Sequence, residues 1–274
     1  VSVRKVAKQI WKVGDQRIVL GDCLGVMRSM PSGLIDLIVT SPPYNIGAQY
    51  HQHDDSQPRD RYLGFLAACF AELYRVLKPD GSFFLNFGAG TKDDPWLPHD
   101  VVGAVRSATF VLQNQITWVK AIAINETTVG HYKPVNSDRY LNRMHEAVLH
   151  LTKTGSVALH RNAIGVPFAD KSNIARRGHA EDKHCRGNTW FIDYDTVQSK
   201  AEKFDHPAGF PVQLPSWCLR LHGVTSDIVV LDPFLGAGTT LVATQALGCQ
   251  GIGIEIDPRY AETAVQRLSA NVVP

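Results

Sequence analysis

The apolar run Leu34-Ile35-Asp36-Leu37-Ile38-Val39 stops at Thr40-Ser41-Pro42-Pro43-Tyr44-Asn45, and the two consecutive prolines constrain this chain more than any other stretch. Proline lacks a backbone N–H and biases the residue before it toward extended backbone, so the segment neither continues a sheet nor opens an ordinary helix. A buried strand ending in a stiff elbow is expected. Such an elbow presents a hydroxyl, backbone carbonyls and an aromatic face at the carboxyl end of a strand, where open α/β sheets place their ligands.

Strand and helix signals alternate on both sides of the elbow. Residues 16 to 20 read as a short strand leading into Gly21-Asp22-Cys23, and Leu24 to Met30 suit one or two helical turns stopped by Pro31. Asp22, just past a strand end, reads equally well as a helix N-cap and as a ligand contact. After the elbow, residues 47 to 60 are rich in His, Gln and Asp without the fixed helical spacing of a metal site. A mobile loop and no metal are expected there. Leu63, Leu66, Phe70, Leu73 and Leu77 then recur at three and four, the stripe of an amphipathic helix. Lys78-Pro79-Asp80-Gly81 has turn composition, and Ser82 to Phe87 reads as a second buried strand. A helix around His99 to Ser107 and a strand around Gln113 to Val119 continue the pattern.

With 274 residues and 44% hydrophobic content, the chain can bury a substantial core, and disorder is not expected. A net charge of +2 permits a nucleic-acid partner without requiring one. Five cysteines, odd in number and without a CxxC pair, indicate neither a disulfide framework nor a zinc cluster, so a reducing cytoplasm is the simplest compartment. No apolar run is long enough to span a bilayer, and no signal-type hydrophobic region follows Val1 to Lys5.

From Ala121 to Lys203 the chain turns polar and basic with scattered aromatics. Lys133, Arg139 and Arg143 fall in one cluster; Lys171, Arg176, Arg177 and Arg186 fall in a second that includes few acids. Phosphate binding uses Lys and Arg, while reading or propping open bases uses polar and stacking side chains. The mixture points to DNA contact. His145-Glu146 with Ala147 to Leu151 reads as a strand of this segment.

The α/β pattern then resumes with a helix over Pro211 to Leu221 and a strand over Asp227 to Leu231. That strand feeds Asp232-Pro233-Phe234-Leu235-Gly236-Ala237-Gly238-Thr239-Thr240, followed by a helix, a strand over Gly251 to Ile256 and a final helix opened by Asp257-Pro258. Glu255 stands nineteen positions after Gly236. A strand, a glycine turn, a helix and a second strand ending in an acid form the layout that binds a nucleoside, with the carboxylate accepting from ribose hydroxyls. The third glycine of a dinucleotide site is absent, as is the Gly-Lys-Ser/Thr of a P-loop. A nucleoside cofactor without phosphates at the turn remains, and S-adenosylmethionine fits.

Ser41-Pro42-Pro43-Tyr44 together with Asp232 to Thr240 resembles the amino-methyltransferases that act on exocyclic amino groups of DNA bases, in that family's beta arrangement: catalytic motif first, target-recognition region in the middle, cofactor motif last. Gly21-Asp22 resembles a further cofactor motif, and His206-Pro207-Ala208 with Phe210-Pro211 resembles the segment before the cofactor strand. The resemblance covers nearly the whole chain. It implies a doubly wound, mainly parallel α/β sheet of the S-adenosylmethionine-dependent methyltransferase type, with residues 1 to 120 as catalytic half, 121 to 203 as a target-recognition insertion and 204 to 274 as cofactor half. Carried over by motif are Asp22 for the cofactor adenine, Asp232, Phe234, Gly236, Gly238 and Thr239 around its methionine and ribose portion, and Glu255 for the ribose hydroxyls. Double-stranded DNA is the implied partner and a homodimer the implied assembly; a companion restriction endonuclease is not read from the sequence.

The catalytic set implied by resemblance is Ser41, Pro42, Pro43 and Tyr44. An exocyclic amino group is a poor nucleophile because its lone pair is delocalised into the ring. With Ser41 Oγ and the Pro42 carbonyl accepting both amino hydrogens, nitrogen can pyramidalise and attack a sulfonium methyl directly. Tyr44 offers a face for a base flipped out of the stack. In this family Ser at the first motif position leans toward cytosine N4, whereas Asn45-Ile46-Gly47 resembles the continuation in adenine enzymes; adenine N6 is placed slightly first. Protein glutamine methyltransferases have a similar site but differ in motif order and lack the basic middle segment.

Overall fold

A computed structural model describes residues 7–47, 54–88, 90, 94–124, 127–130, 137–176, 178, 180–193 and 209–270. β1 (Gln9–Val13) and β2 (Gln16–Leu20) form an antiparallel hairpin turned at Gly14, whose φ of 56° suits glycine. α1 (Cys23–Arg28) follows, then β3 (Ile35–Thr40), α2 (Arg59–Val76) and β4 (Leu77–Phe87). α3 (Leu97–Ser107), β5 (Val111–Ile124), β6 (Thr127–Gly130), β7 (His145–Thr152), α4 (Ser172–Arg176) and β8 (Thr189–Asp193) make the middle of the chain. The last third is α5 (Gln213–His222), β9 (Val229–Asp232), α6 (Thr239–Ala246), β10 (Gln250–Glu255) and α7 (Pro258–Ala270).

The ten described strands form one sheet in the order β1-β2-β10-β9-β3-β4-β7-β5-β6, with β8 beside β5. Its centre, β2-β10-β9-β3-β4, is parallel throughout. Parallel strands are buried on both faces, which is why β3 reads as a nearly continuous apolar run. Ile35 and Ile38 pack into the core under α1, α2 and α3; Leu37 and Val39 pack into the core that includes Leu214 and Cys218 of α5. A third core joins Ile18 and Leu20 of β2 to Leu241, Ala261, Ala264 and Leu268 of α6 and α7. The sheet is therefore covered by helices on both sides, the doubly wound arrangement the sequence led us to expect.

Two details differ from the sequence reading. Lys78 to Gly81 does not end one element and begin another: Ile35 pairs with Leu77 and Leu37 with Ser82, so the turn residues are looped out of a single strand. And β7 lies inside the main sheet, antiparallel to both β4 and β5. The middle segment thus supplies an interior strand, with Val148, Leu149 and Leu151 buried. Ala147 pairs with both Phe87 of β4 and Thr117 of β5, so β5 runs past the end of β4 and stands up as a wall on the carboxyl side of the parallel strands. No described helix is long and apolar enough to cross a membrane.

Candidate functional site

The two motifs lie on neighbouring strands. β3 and β9 pair in parallel, Leu37 with Val230 and Ile38 with Leu231, although one comes from the first half of the chain and the other from the last. This is the switch point of the sheet, where chain order reverses and a crevice opens at the carboxyl ends. The sheet order β2-β10-β9-β3 sets three expected residues and the glycine turn in a row: Asp22 after β2, Glu255 at the end of β10, the glycine turn after β9, and Ser41 after β3. Three strand spacings of ~4.8 Å make this row about 14 Å long.

Asp22 is the N-cap of α1, its Oδ2 accepting from the Gly25 N–H at 2.7 Å, and its side chain remains exposed at the site edge. Glu255 is buried, with Oε2 accepting from the Gly236 N–H at 2.7 Å and Oε1 from the Ile256 and Asp257 N–H groups at 2.9 and 2.8 Å. Burial outweighs these bonds and pushes its carboxyl up to about 7. Gly236 and Gly238 have φ of 54° and 87°, which glycine adopts without strain. A Cβ on Gly238 would stand 2.8 Å from that of Ala264, so this glycine also lets α7 approach the turn. Phe234 is half-buried with its ring edge-on to Phe65 at 6.2 Å, and Thr239, at the start of α6, accepts from Arg267 at 3.2 Å.

Asp232 does not present a free carboxylate. Oδ1 accepts from the Thr40 hydroxyl at 2.6 Å and the Phe234 N–H at 3.1 Å, and Oδ2 accepts from the Thr240 hydroxyl at 2.6 Å. Fully buried, it is pushed up to about 6 by desolvation. It braces the glycine turn from beneath and ties it to the residue that precedes Ser41. Arg267, likewise unforeseen, holds the turn from outside with a bond to the Ala237 carbonyl at 2.6 Å.

At the elbow, Ser41 is half-buried and Pro42 buried. The Pro43 carbonyl accepts from Tyr62 at 2.6 Å, whereas no donor among the described residues reaches the Pro42 carbonyl. Among the described residues, Ser41 Oγ and the Pro42 carbonyl therefore both keep acceptor capacity at the elbow. Tyr44 is set deeper than a simple platform. Its ring lies 4.5 Å from that of Phe87, and a Cβ on Gly88 would stand 2.7 Å from it, so Gly88 makes room for the ring. Its hydroxyl accepts from Ser41 at 2.9 Å and from Asn86 at 3.0 Å and donates to Glu146 at 3.1 Å. Burial, then the charge of Glu146, holds the phenol well above its ordinary range. Glu146, Asn86 and Lys120, whose ammonium lies 2.6 Å from Glu146 Oε1, were not foreseen. The available signal was a charged residue, Glu146, directly before the largely apolar run from Ala147 on.

Residues 48 to 53, most of the stretch expected as a mobile loop, lie outside the described residues; its described flanks are bonded to one another. Asp55 is buried and its carboxylate accepts from the N–H groups of Asn45 and Ile46 at 2.8 and 3.0 Å. Asn45, at a φ of 55°, bonds back to Gln57 with both ends of its amide. These bonds clamp the elbow's outgoing chain. Among the described residues no cluster suits a metal ion.

The basic residues divide. Arg139 and Arg143 are exposed in the connection between β6 and β7, which returns to β7 on the carboxyl side of the parallel strands. Arg139 stacks on Tyr140 at 5.5 Å. Lys171 pairs with Asp182 at 2.5 Å, and Arg176 bonds to Asn173. Arg186 is half-buried, its guanidinium 4.1 Å over the Trp217 ring and bonded to the Ile164 carbonyl, so it packs the middle segment against α5. Lys133, Arg177 and His206-Pro207-Ala208 lie outside the described residues.

Comparison with known proteins bears on this geometry. The family model of the N6/N4 methylases, described as DNA methylase, matches residues 35–266. The type II methyltransferase M.HpaI of Haemophilus parainfluenzae is 28% identical over 93% of this chain and 75% of its own length. The DNA adenine methyltransferase YhdJ of Escherichia coli is 26% identical over 92% of this chain and 82% of its own. Among solved structures, PvuII DNA methyltransferase, a cytosine-N4-specific enzyme, superposes with a TM-score of 0.71 at 22% identity, covering 96% of this chain and 89% of that one.

Proposed function

The chain belongs to the N6/N4 DNA methylase family, and from that premise we propose that the row from Asp22 to Ser41 holds the methyl donor and target of a site-specific DNA amino-methyltransferase, with adenine N6 as the target and the base turned out of the helix to reach it. The enzyme uses S-adenosylmethionine. The order of strand ends supports this reading most directly: acid, acid, glycine turn and acceptor elbow follow one another over a length that suits an extended nucleoside amino acid.

The residues present fit that cofactor. Glu255 Oε2 keeps acceptor capacity beyond the single N–H it receives, as a ribose hydroxyl requires. Asp22 has Oδ1 free of the cap bond and exposed, in place to accept from an adenine amino group. The glycine turn, held from below by Asp232 and from outside by Arg267, is the part of the row that would receive the methionine portion. When bound, S-adenosylmethionine supplies an electrophilic methyl on a sulfonium. The protein's part is to prepare the nucleophile. Ser41 Oγ and the Pro42 carbonyl accept the two amino hydrogens, draw the lone pair out of conjugation and aim it along the row. Tyr44, with Phe87 behind it, closes the far side of the base.

The exposed Arg139 and Arg143 are proposed to meet phosphates, in a target-recognition role for the β6–β7 connection. Cytosine N4 is the second reading, supported by Ser rather than Asp at position 41. One assay tests both: labelled S-adenosylmethionine and duplex DNA, followed by digestion and nucleoside analysis. Label in N6-methyladenine supports the first reading, label in N4-methylcytosine replaces it with the second, and label in neither removes the function. Ser41→Ala is expected to lose turnover with calorimetric cofactor affinity kept.

A further inference from the structure

A serine hydroxyl differs from a carboxylate in one respect that matters at this elbow. It can donate as well as accept, so it serves as an acceptor for an amino hydrogen only when its own proton is sent elsewhere. The chain of bonds described above sends it. Ser41 donates to Tyr44 at 2.9 Å, Tyr44 donates to Glu146 Oε2 at 3.1 Å, and a carboxylate at the end of such a chain can only accept. Asn86 closes the alternative route: its Nδ2 donates to Tyr44 at 3.0 Å and to Glu146 at 2.8 Å, so the phenol cannot point its proton there. The opposite amide orientation would set an oxygen against the carboxylate. Lys120, 2.6 Å from the other oxygen of Glu146, offsets the carboxylate's charge and fixes its rotamer from the wall of β5.

We propose that Glu146 is a positioning residue for methyl transfer, setting the polarity of the Ser41–Tyr44 relay so that Ser41 Oγ faces the target amino group as a pure acceptor. The proposal rests on the methyltransferase reading above. It also gives a physical account of serine at a position where aspartate would accept without help: the carboxylate that position lacks is supplied from β7, two bonds away. Tyr44, kept a neutral phenol by burial and by Glu146, passes the polarity on without carrying charge itself.

The test uses steady-state methylation by Glu146→Gln, Tyr44→Phe and the double variant, with cofactor and DNA affinities measured for each. Glutamine keeps the shape of Glu146 but its amide can donate to Tyr44 and reverse the relay. Removing a single polar group that acts in the transition state commonly costs about 100- to 1,000-fold in rate. Glu146→Gln is expected in the lower part of that range, as a fall in kcat at unchanged cofactor and DNA affinity. Tyr44→Phe, which keeps the ring on Phe87, should lose a similar factor, and the double variant should be no slower than the slower single one, because the relay acts as a unit. Multiplicative losses in the double variant, unchanged kcat in Glu146→Gln, or a loss explained by weaker DNA or cofactor binding each overturn the proposal. Absence of any methyl transfer by the unaltered chain is a different result and removes the parent reading instead.

Discussion

The Thr40 hydroxyl donates at 2.6 Å to Asp232, a residue 192 positions away, and so joins the strand that carries the acceptor elbow to the strand that carries the glycine turn. Both partners are buried. The bond sets the lateral position of one motif against the other, which side-by-side backbone pairing of β3 and β9 alone would leave to the twist of the sheet.

Thr40→Val keeps the shape of this brace and removes its donor. A buried carboxylate oxygen short of one bond costs about 1–3 kcal/mol, and urea denaturation should show a loss of that order. Turnover should fall further than stability at working temperature explains, because the elbow shifts relative to the methyl source. A variant with normal kcat would reduce the brace to a stability element.

Glu255 gives a pH signature. Its folded carboxyl sits near about 7 because burial disfavours the charge. With the folded value raised above the unfolded one, its contribution to the ligand-free protein is greatest in acid and is lost as pH rises toward 7. Ribose hydroxyls donate to the ionised form, so cofactor affinity should rise over the same interval with release of a proton. Calorimetry at pH 6 and pH 8 in buffers of different ionisation heat measures both, and Glu255→Gln should flatten the profile. A pH-independent affinity would place the ribose elsewhere.

The arginines are expected to separate into two classes. Arg139→Ala with Arg143→Ala should weaken DNA binding uniformly across sequences and reduce the slope of log affinity against log salt by about two units. Arg186→Ala should leave that slope alone and lower the melting temperature, since its guanidinium covers Trp217. Filter binding across a salt series, with a thermal melt of each variant, distinguishes them.

His150 is buried between Phe84, 4.5 Å away and nearly parallel, Ser82 and Asn114, and burial pushes it down to about 4. A histidine held neutral in the fold stabilises above its unfolded value near 6.5 and is lost as pH falls through the folded one. At 1.36 kcal/mol per unit the full swing is on the order of 3 kcal/mol. The stability difference between the natural protein and His150→Gln should shrink by that amount from pH 7 to pH 4, read by denaturant midpoints. An unchanged difference would mean that His150 charges within the fold.

The elbow, the glycine turn and the alternation around them were legible because proline and glycine write backbone geometry into short stretches. The N-cap role of Asp22 was legible for the same local reason. Glu146, Asn86, Lys120 and Arg267 were not, because each acts on a partner from another element and looks in isolation like an ordinary strand or surface residue. Asp55 shows the limit of composition: a polar run reads as a loop whether or not one of its acids is buried against two backbone N–H groups. The interior place of β7 was hidden because strand pairing between distant segments leaves no trace in either one.

Placing β3 beside β9 also fixes when the site can exist. A chain made from its amino end completes the elbow strand with β4 on one side, while the other side awaits strands not yet synthesised. Closing the Thr40–Asp232 contact means closing a loop of 192 residues, a step whose entropic cost and slowness grow with the separation. The elbow strand is therefore made early and the glycine turn late. A ribosome-bound chain that has emerged only as far as the middle segment has the elbow strand but neither β9, β10 nor the glycine turn, so the crevice between β3 and β9 does not yet exist.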